Sequence, residues 1–266
     1  MKRLIFLLLI SNYCYSQNYT YFAGSRSSSL AHSTVSLVDI WSSFHNQAAL
    51  AFLEKDQFAF SYQNRYGLKD LSSSYFTLVK SFPVGCFGLS ISHFGFEQFN
   101  ETKIGMNYSR KFGESWSLGA QVNYENLFVE EAQNKGILTG EISLLSQPVK
   151  DLKIGLHLYN PLNNDWENSL EFSNRLGLRF GANYQFNNNS LLAGEIQKWA
   201  DLPERYSLGL EYPFQKILIL RTGFSIQPLG QNIGFGFILK KLRIDSSIEF
   251  SSYLGQSFGL SINYDL

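Results

Sequence analysis

The sequence predicts an all-β fold: a transmembrane, antiparallel, up-and-down β-barrel of 14 strands with a small N-terminal plug segment. Three observations predict it. Residues 57–264 break into short segments in which apolar and polar residues alternate, the period of a strand with one greasy and one wet face. Aromatic residues are abundant (Phe 23, Tyr 15, Trp 4, or 16% of the chain) while proline is scarce at 6, as aromatic girdles and uninterrupted strands require. After the N-terminus no run of about 18 apolar residues occurs, so no helix is set to cross a bilayer. A secreted β-sandwich would alternate too, but the number and even length of the segments favour the barrel.

The N-terminus reads as a removed signal peptide over residues 1–16. Lys2-Arg3 is the basic region, Leu4 to Ile10 the apolar run, and Cys14-Tyr15-Ser16 places small residues at the −3 and −1 positions of a cut before Gln17. Tyr13 stands where a lipidated cysteine needs a small residue. The whole chain holds 22 basic and 22 acidic residues, and loss of Lys2 and Arg3 leaves 20 against 22. So weak a field draws no nucleic acid. Of 2 cysteines only Cys86 remains, which excludes an intrachain disulfide and two-cysteine chemistry.

Residues 17–56 come next. They are rich in serine and alanine and carry Leu30, Val35, Leu37, Val38, Ile40, Trp41 and Phe44 without strict alternation. This pattern predicts a short helix or hairpin folded into the barrel mouth; a loose periplasmic arm is the alternative.

The barrel is expected over residues 57–266, with strands at 57–65, 73–82, 84–94, 101–112, 115–126, 137–146, 152–159, 175–186, 190–198, 204–212, 217–226, 232–240, 242–250 and 256–264. The clearest is the fifth, where Trp116, Leu118, Ala120, Val122 and Tyr124 alternate with Ser117, Gly119, Gln121 and Asn123. Most run nine to twelve residues, about what a tilted spanning strand needs. Short connections near Pro83, Gly113-Glu114, Pro148-Val149, Asn187-Asn188-Asn189, Pro213-Phe214 and Lys241 alternate with longer ones. Outer-membrane barrels have short periplasmic turns and long outer loops, so the pattern places both termini in the periplasm. Twelve strands is the alternative count. The final Phe258-Gly259-Leu260-Ser261-Ile262-Asn263-Tyr264 resembles a C-terminal barrel-assembly signal, extended by Asp265-Leu266.

One stretch carries a family resemblance. Gly24-Ser25-Arg26 followed by serines and Leu30, then Asp39-Ile40-Trp41, then Asn46-Gln47-Ala48, is similar to the opening of the PorV/PorQ group of FadL-like outer-membrane barrels. The residues that match are Gly24, Arg26, Asp39, Trp41, Asn46 and Ala48; Gln47 stands where the group has proline, and Asp39 has no second acid beside it. The resemblance implies a fourteen-stranded barrel with the N-terminal segment inside. For the PorV/PorQ branch it implies a non-catalytic part in type IX secretion, docking cargo or attachment partners. For the FadL branch it implies passage of fatty acids or other hydrophobic compounds. This chain is shorter than is usual for either, so its outer loops are brief.

Strand phase then sorts the charges. Glu141, Lys153, Arg175, Arg179, Glu195, Glu211, Arg221, Arg243, Asp245 and Glu249 take the inward phase, with His157 among them. On the lipid face each would cost ~2–4 kcal/mol at midplane. Five basic and five acidic groups make a balanced lumen, unlike the one-sign ring of an ion-selective pore. They read as a charge ladder that holds the plug, or as a polar path. A hydrophobic ligand is then expected near the plug, around Trp41 and Phe44.

Little points to catalysis. Neither His93 nor His157, the histidines in expected strands, has a serine two residues away, where a strand would put it on the same face. Of His32 and His45 only His45 has one, Ser43, and it lies outside the expected strands. Pairs reaching across strands stay open. Four scattered histidines and one cysteine have no metal-ligand spacing, and no cofactor is implied. Gly85-Cys86-Phe87-Gly88 and Gly234-Phe235-Gly236 fall in strands, where glycine makes room for a neighbour or a plug. Glu130-Glu131 reads as a solvated loop. The expected partners are outer-membrane lipid, secretion or secreted proteins, and on the alternative reading a hydrophobic ligand.

Overall fold

The computed structural model describes residues 22–130, 134–165, 176–200, 202–251 and 254–266. The expected signal peptide, Glu131 and Arg175 lie outside them.

Fourteen antiparallel strands form a closed barrel in which every strand pairs with its sequence neighbours and β1 pairs with β14. They are β1 (Gln57–Asn64), β2 (Ser72–Phe82), β3 (Gly85–Phe96), β4 (Phe99–Phe112), β5 (Trp116–Val129), β6 (Lys135–Val149), β7 (Leu152–Tyr159), β8 (Gly177–Gln185), β9 (Leu191–Trp199), β10 (Arg205–Pro213), β11 (Leu218–Ile226), β12 (Gly230–Leu239), β13 (Leu242–Ser251) and β14 (Gly255–Asp265). Closure leaves no unpaired edge, the condition for backbone in hydrocarbon. The expected count of 14 holds, and the closed sheet excludes a sandwich.

Alternation becomes two surfaces. Along β5, Trp116, Leu118, Val122 and Tyr124 face outward and are exposed, while Ser117, Gly119, Gln121 and Asn123 are buried in the lumen. Aromatic residues gather at both rims: Phe82, Phe87, Phe112, Trp116 and Phe214 at the short-turn end, and Tyr62, Phe96, Tyr206 and Phe250 at the long-loop end. One boundary differs from expectation. The sequence places Pro148 and Val149 in a turn, yet β6 continues through them and Val149 pairs with Leu152. The register shifts between Ser146 and Val149, and such a bulge is where a strand tolerates a residue without an N–H.

Residues 22–56 fill the barrel. They form α1 (Ser25–Ser29), α2 (Ser42–His45) and a 3-10 helix (Gln47–Phe52). Almost every residue from Phe22 to Leu50 is buried. The segment runs from the long-loop end, where Phe22 lies beside Tyr66 and Phe250, to the short-turn end, where Asp56 accepts a backbone hydrogen bond from Leu266. The C-terminus therefore sits at the short-turn end.

Candidate functional site

The plug's own fold comes from its short-range chemistry. Gly24 has φ +86, a left-handed value that glycine adopts without strain, and the Trp41 ring lies where a Cβ would be. Arg26 hydrogen-bonds Asp39 at 2.9 Å, and Asp39 in turn accepts the Trp41 N–H at 2.9 Å. Asn46 caps the 3-10 helix by accepting from the Ala48 N–H, and its amide donates to Val35 O and, on β6, to Leu144 O. The signature residues thus fall into two contact groups, Gly24, Arg26, Asp39 and Trp41 in one and Asn46 with Ala48 in the other. Each of these contacts shapes the plug itself.

The lumen wall holds the plug at three carboxylates. Glu211 on β10 takes a bidentate bond from Arg26 at 2.9 and 3.0 Å and a further bond from Arg221 at 2.6 Å. Arg221 also meets Asp245 at 2.8 Å, and Asp245 meets Arg243 at 3.1 Å. Glu195 on β9 accepts the backbone N–H groups of Thr34 and Val35, both at 2.7 Å, and pairs with Arg179 at 2.6 Å. Glu141 on β6 pairs with Lys103 at 2.6 Å, with His157 at 2.8 Å, and accepts from Gln47 of the plug at 2.6 Å. Glu249 lies at the long-loop end beside His32 at 3.3 Å. Lys153 is half-buried near the short-turn end, apart from the plug's ion pairs.

Sequence reasoning missed Lys103 and Glu125, both buried in the lumen. The phase rule reaches them. Glu125 continues the series Ser117 to Asn123 by one step, and Lys103 precedes Gly105, Asn107 and Ser109 on β4. Glu125 accepts from Thr139 and Tyr159, both at 2.6 Å.

Glycines make the fit. A Cβ at Gly223 would overlap Ala31 N, one at Gly234 would overlap Ser29, and one at Gly155 would overlap Val35 O. The glycine-bearing strands therefore let the plug's backbone lie against the wall.

The expectation of a ligand around Trp41 and Phe44 needs correction. Both are sealed, at 1% and 4% exposure, by Ile40, Leu50, Ala59, Tyr75, Val79 and Cys86. Apolar plug residues meet apolar wall residues there, and the space is core. Room exists instead at the long-loop end. A cleft of about 60 Å³ is lined by Phe22, His32, Gln63, Tyr66, Arg205, Leu229, Glu249 and Phe250, among others. Phe22 stacks on His32 at 4.1 Å, and the guanidinium groups of Arg179 and Arg205 lie over its ring at 5.4 and 5.8 Å. The cleft thus combines an aromatic floor with polar walls.

His32 also lies 3.4 Å from Ser27 Oγ, so serine, histidine and Glu249 carboxylate stand in line. Catalysis does not follow. Ser27 is 2% exposed and does not line the cleft, so its hydroxyl cannot reach a substrate there. No grouping of His, Cys, Asp and Glu suited to a metal occurs among the described residues.

No family model matches the chain, and no curated protein matches it. Solved structures do. The Pseudomonas putida toluene transporter TodX superposes with a TM-score of 0.73 at 12% identity, covering 93% of this chain and 99% of its own. The Ralstonia pickettii toluene transporter TbuX gives a TM-score of 0.74 at 12% identity, covering 92% of this chain and 98% of its own. A Pseudomonas aeruginosa FadL homologue gives a TM-score of 0.64 at 12% identity, covering 91% of this chain and 98% of its own. The fold is that of the FadL-type outer-membrane barrel. These likenesses support the wider architecture and do not extend to the PorV/PorQ branch.

Proposed function

We propose that this barrel is a non-enzymatic outer-membrane conduit for small hydrophobic compounds, with its short turns and C-terminus in the periplasm. The observation that carries the reading is the aromatic-floored cleft at the long-loop end, which opens onto the N-terminal plug. The fold shared with two toluene transporters and a FadL homologue supports it. So do the wall's ion pairs at Glu141, Glu195, Glu211 and Asp245, which mix both signs among the described residues instead of forming a one-sign ring for ions. A cleft of about 60 Å³ is well below the ~300 Å³ or more of a typical ligand pocket. Passage therefore requires part of the plug to shift. Uptake of a labelled monoaromatic hydrocarbon should fall in a deletion strain and return on complementation. Unchanged uptake in both strains would sink the reading.

The signature residues favour a second reading, a PorV/PorQ-like component of type IX secretion that docks partner proteins. Their contacts inside the plug account for them without a partner, which is why this reading ranks second. Pull-down from detergent-solubilised outer membrane separates the two. A stoichiometric secretion partner, together with lost cargo export on deletion, would promote it.

A further inference from the structure

Two cations on the outward-facing surface, Lys80 and Arg110, stand outside the ion pairs of the described residues; the Asp56 carboxylate near Lys80 is turned to the Ser81 N–H, at 2.8 Å. Lys80 on β2 shares the phase of Phe76 and Leu78, and Arg110 on β4 shares that of Met106 and Tyr108, so both lie on the lipid side. Both are exposed and sit at the short-turn end of their strands, and among the described residues neither makes a salt bridge. The long-loop end is arranged differently. There the outward Lys198 is paired with Glu204 at 2.9 Å, and that hydrogen bond holds the Glu204 carboxyl below its ordinary range.

Between Lys80 and Arg110 runs an aromatic strip. Lys80 lies across from Phe87, and Phe87 across from Tyr108, in the ladder registers. The Phe82 and Phe87 rings are 5.7 Å apart and the Phe87 and Tyr108 rings 4.9 Å apart, and Lys80 Nζ sits 5.6 Å from the Phe82 ring. The next outward row toward the membrane centre is wholly apolar, Leu78 against Leu89 against Met106 against Val122, and Met106 is 70% exposed. The two cations stand two strand spacings apart and two residues offset along the strand, about 12 Å between backbones, within reach of one headgroup for side chains of their length.

We propose that this face of β2 to β5 binds an anionic phospholipid, its phosphate between Lys80 and Arg110 and its acyl chains over Leu89 and Met106. Charge complementarity selects that occupant. A bare outward cation at the rim gains from an anionic headgroup, and the apolar row beneath excludes a free soluble anion as the whole ligand. The inference concerns lipid contact and stands apart from the transport reading.

Native mass spectrometry of the full barrel, released from detergent containing equal phosphatidylglycerol and phosphatidylcholine, tests it. The wild-type protein should retain the anionic lipid preferentially. Lys80→Gln or Arg110→Gln should each weaken that preference about five-fold, and the double variant further. Lys198→Gln, at the opposite end, should leave it unchanged. Equal retention of the two lipids by the wild-type protein overturns the proposal without any variant. Retained preference in a double variant that still migrates as a folded barrel overturns it too. Retention of free phosphate with no lipid would do the same.

Discussion

The plug meets two unlike walls. Toward β9 to β13 it is held by charge: Arg26 on Glu211, Thr34 and Val35 on Glu195, with Arg221 and Asp245 behind. Toward β1 to β3 it is held by apolar packing: Ile40, Trp41, Phe44 and Leu50 on Ala59, Tyr75, Val79 and Cys86. The first wall fixes direction and register, because a bidentate guanidinium–carboxylate pair tolerates little displacement. The second supplies burial, which is non-directional. A segment anchored in these two ways can be released on one side while staying seated on the other. The cleft opens beside Arg205 and Glu249, next to the charged wall.

Substitutions can break that comparison. The largest effect is expected from Glu211→Ala, which leaves Arg26 and Arg221 without their shared carboxylate at a cost of about 3–5 kcal/mol. The temperature at which the folded band shifts on a gel should drop clearly. Replacing Arg26 and Glu211 together by methionine should cost less than Glu211→Ala alone, because no charge is stranded. Phe44→Ala on the other wall should cost about 3–5 kcal/mol, through lost burial and a cavity. Phe44 and Glu211 share no partner, so their double variant should be additive within about 0.5 kcal/mol. Strong coupling would show that the two walls act as one.

Smaller effects sharpen the picture. Gly223→Val should strain the plug at Ala31 by about 1–3 kcal/mol and expose residues 22–56 to protease, whereas Gly194→Ala, whose nearest neighbour would be 3.8 Å away, should do neither. Asn46→Ala removes a cap worth about 1 kcal/mol, plus two bonds that tie the plug to itself and to β6. Lys55→Ala, which breaks a solvent-exposed pair with Asp265 at the turn end, should leave the gel shift where it is.

The same contrast explains what the sequence could show. The charged wall was legible, because inward-phase Arg179, Glu195, Glu211, Arg221 and Asp245 stand out against apolar neighbours and strand phase alone places them. The apolar wall was not. Ala59, Tyr75, Val79 and Cys86 take the inward phase but look like lipid-facing residues, so alternation fades where the plug presses. The charged lumen directs the sequence expectation of a hydrophobic ligand to Trp41 and Phe44, but those rings pack against the apolar wall. The cleft escaped notice for another reason. Phe22, Gln63, Arg205 and Glu249 come together only when the barrel closes. The signature of Gly24, Arg26, Asp39, Trp41, Asn46 and Ala48 was visible as a motif, but its contacts inside the plug show in space alone.

The central claim is that hydrophobic compounds pass only when the plug shifts off the charged wall. Ser33 and Ser207 join plug to β10, with hydroxyls 3.0 Å apart. A Ser33→Cys, Ser207→Cys variant, with Cys86→Ser to remove the native thiol, would lock the two when oxidised. Hydrocarbon uptake by cells carrying this variant should fall when the bond forms and recover when it is reduced. Full uptake through the locked, correctly folded barrel would contradict the account.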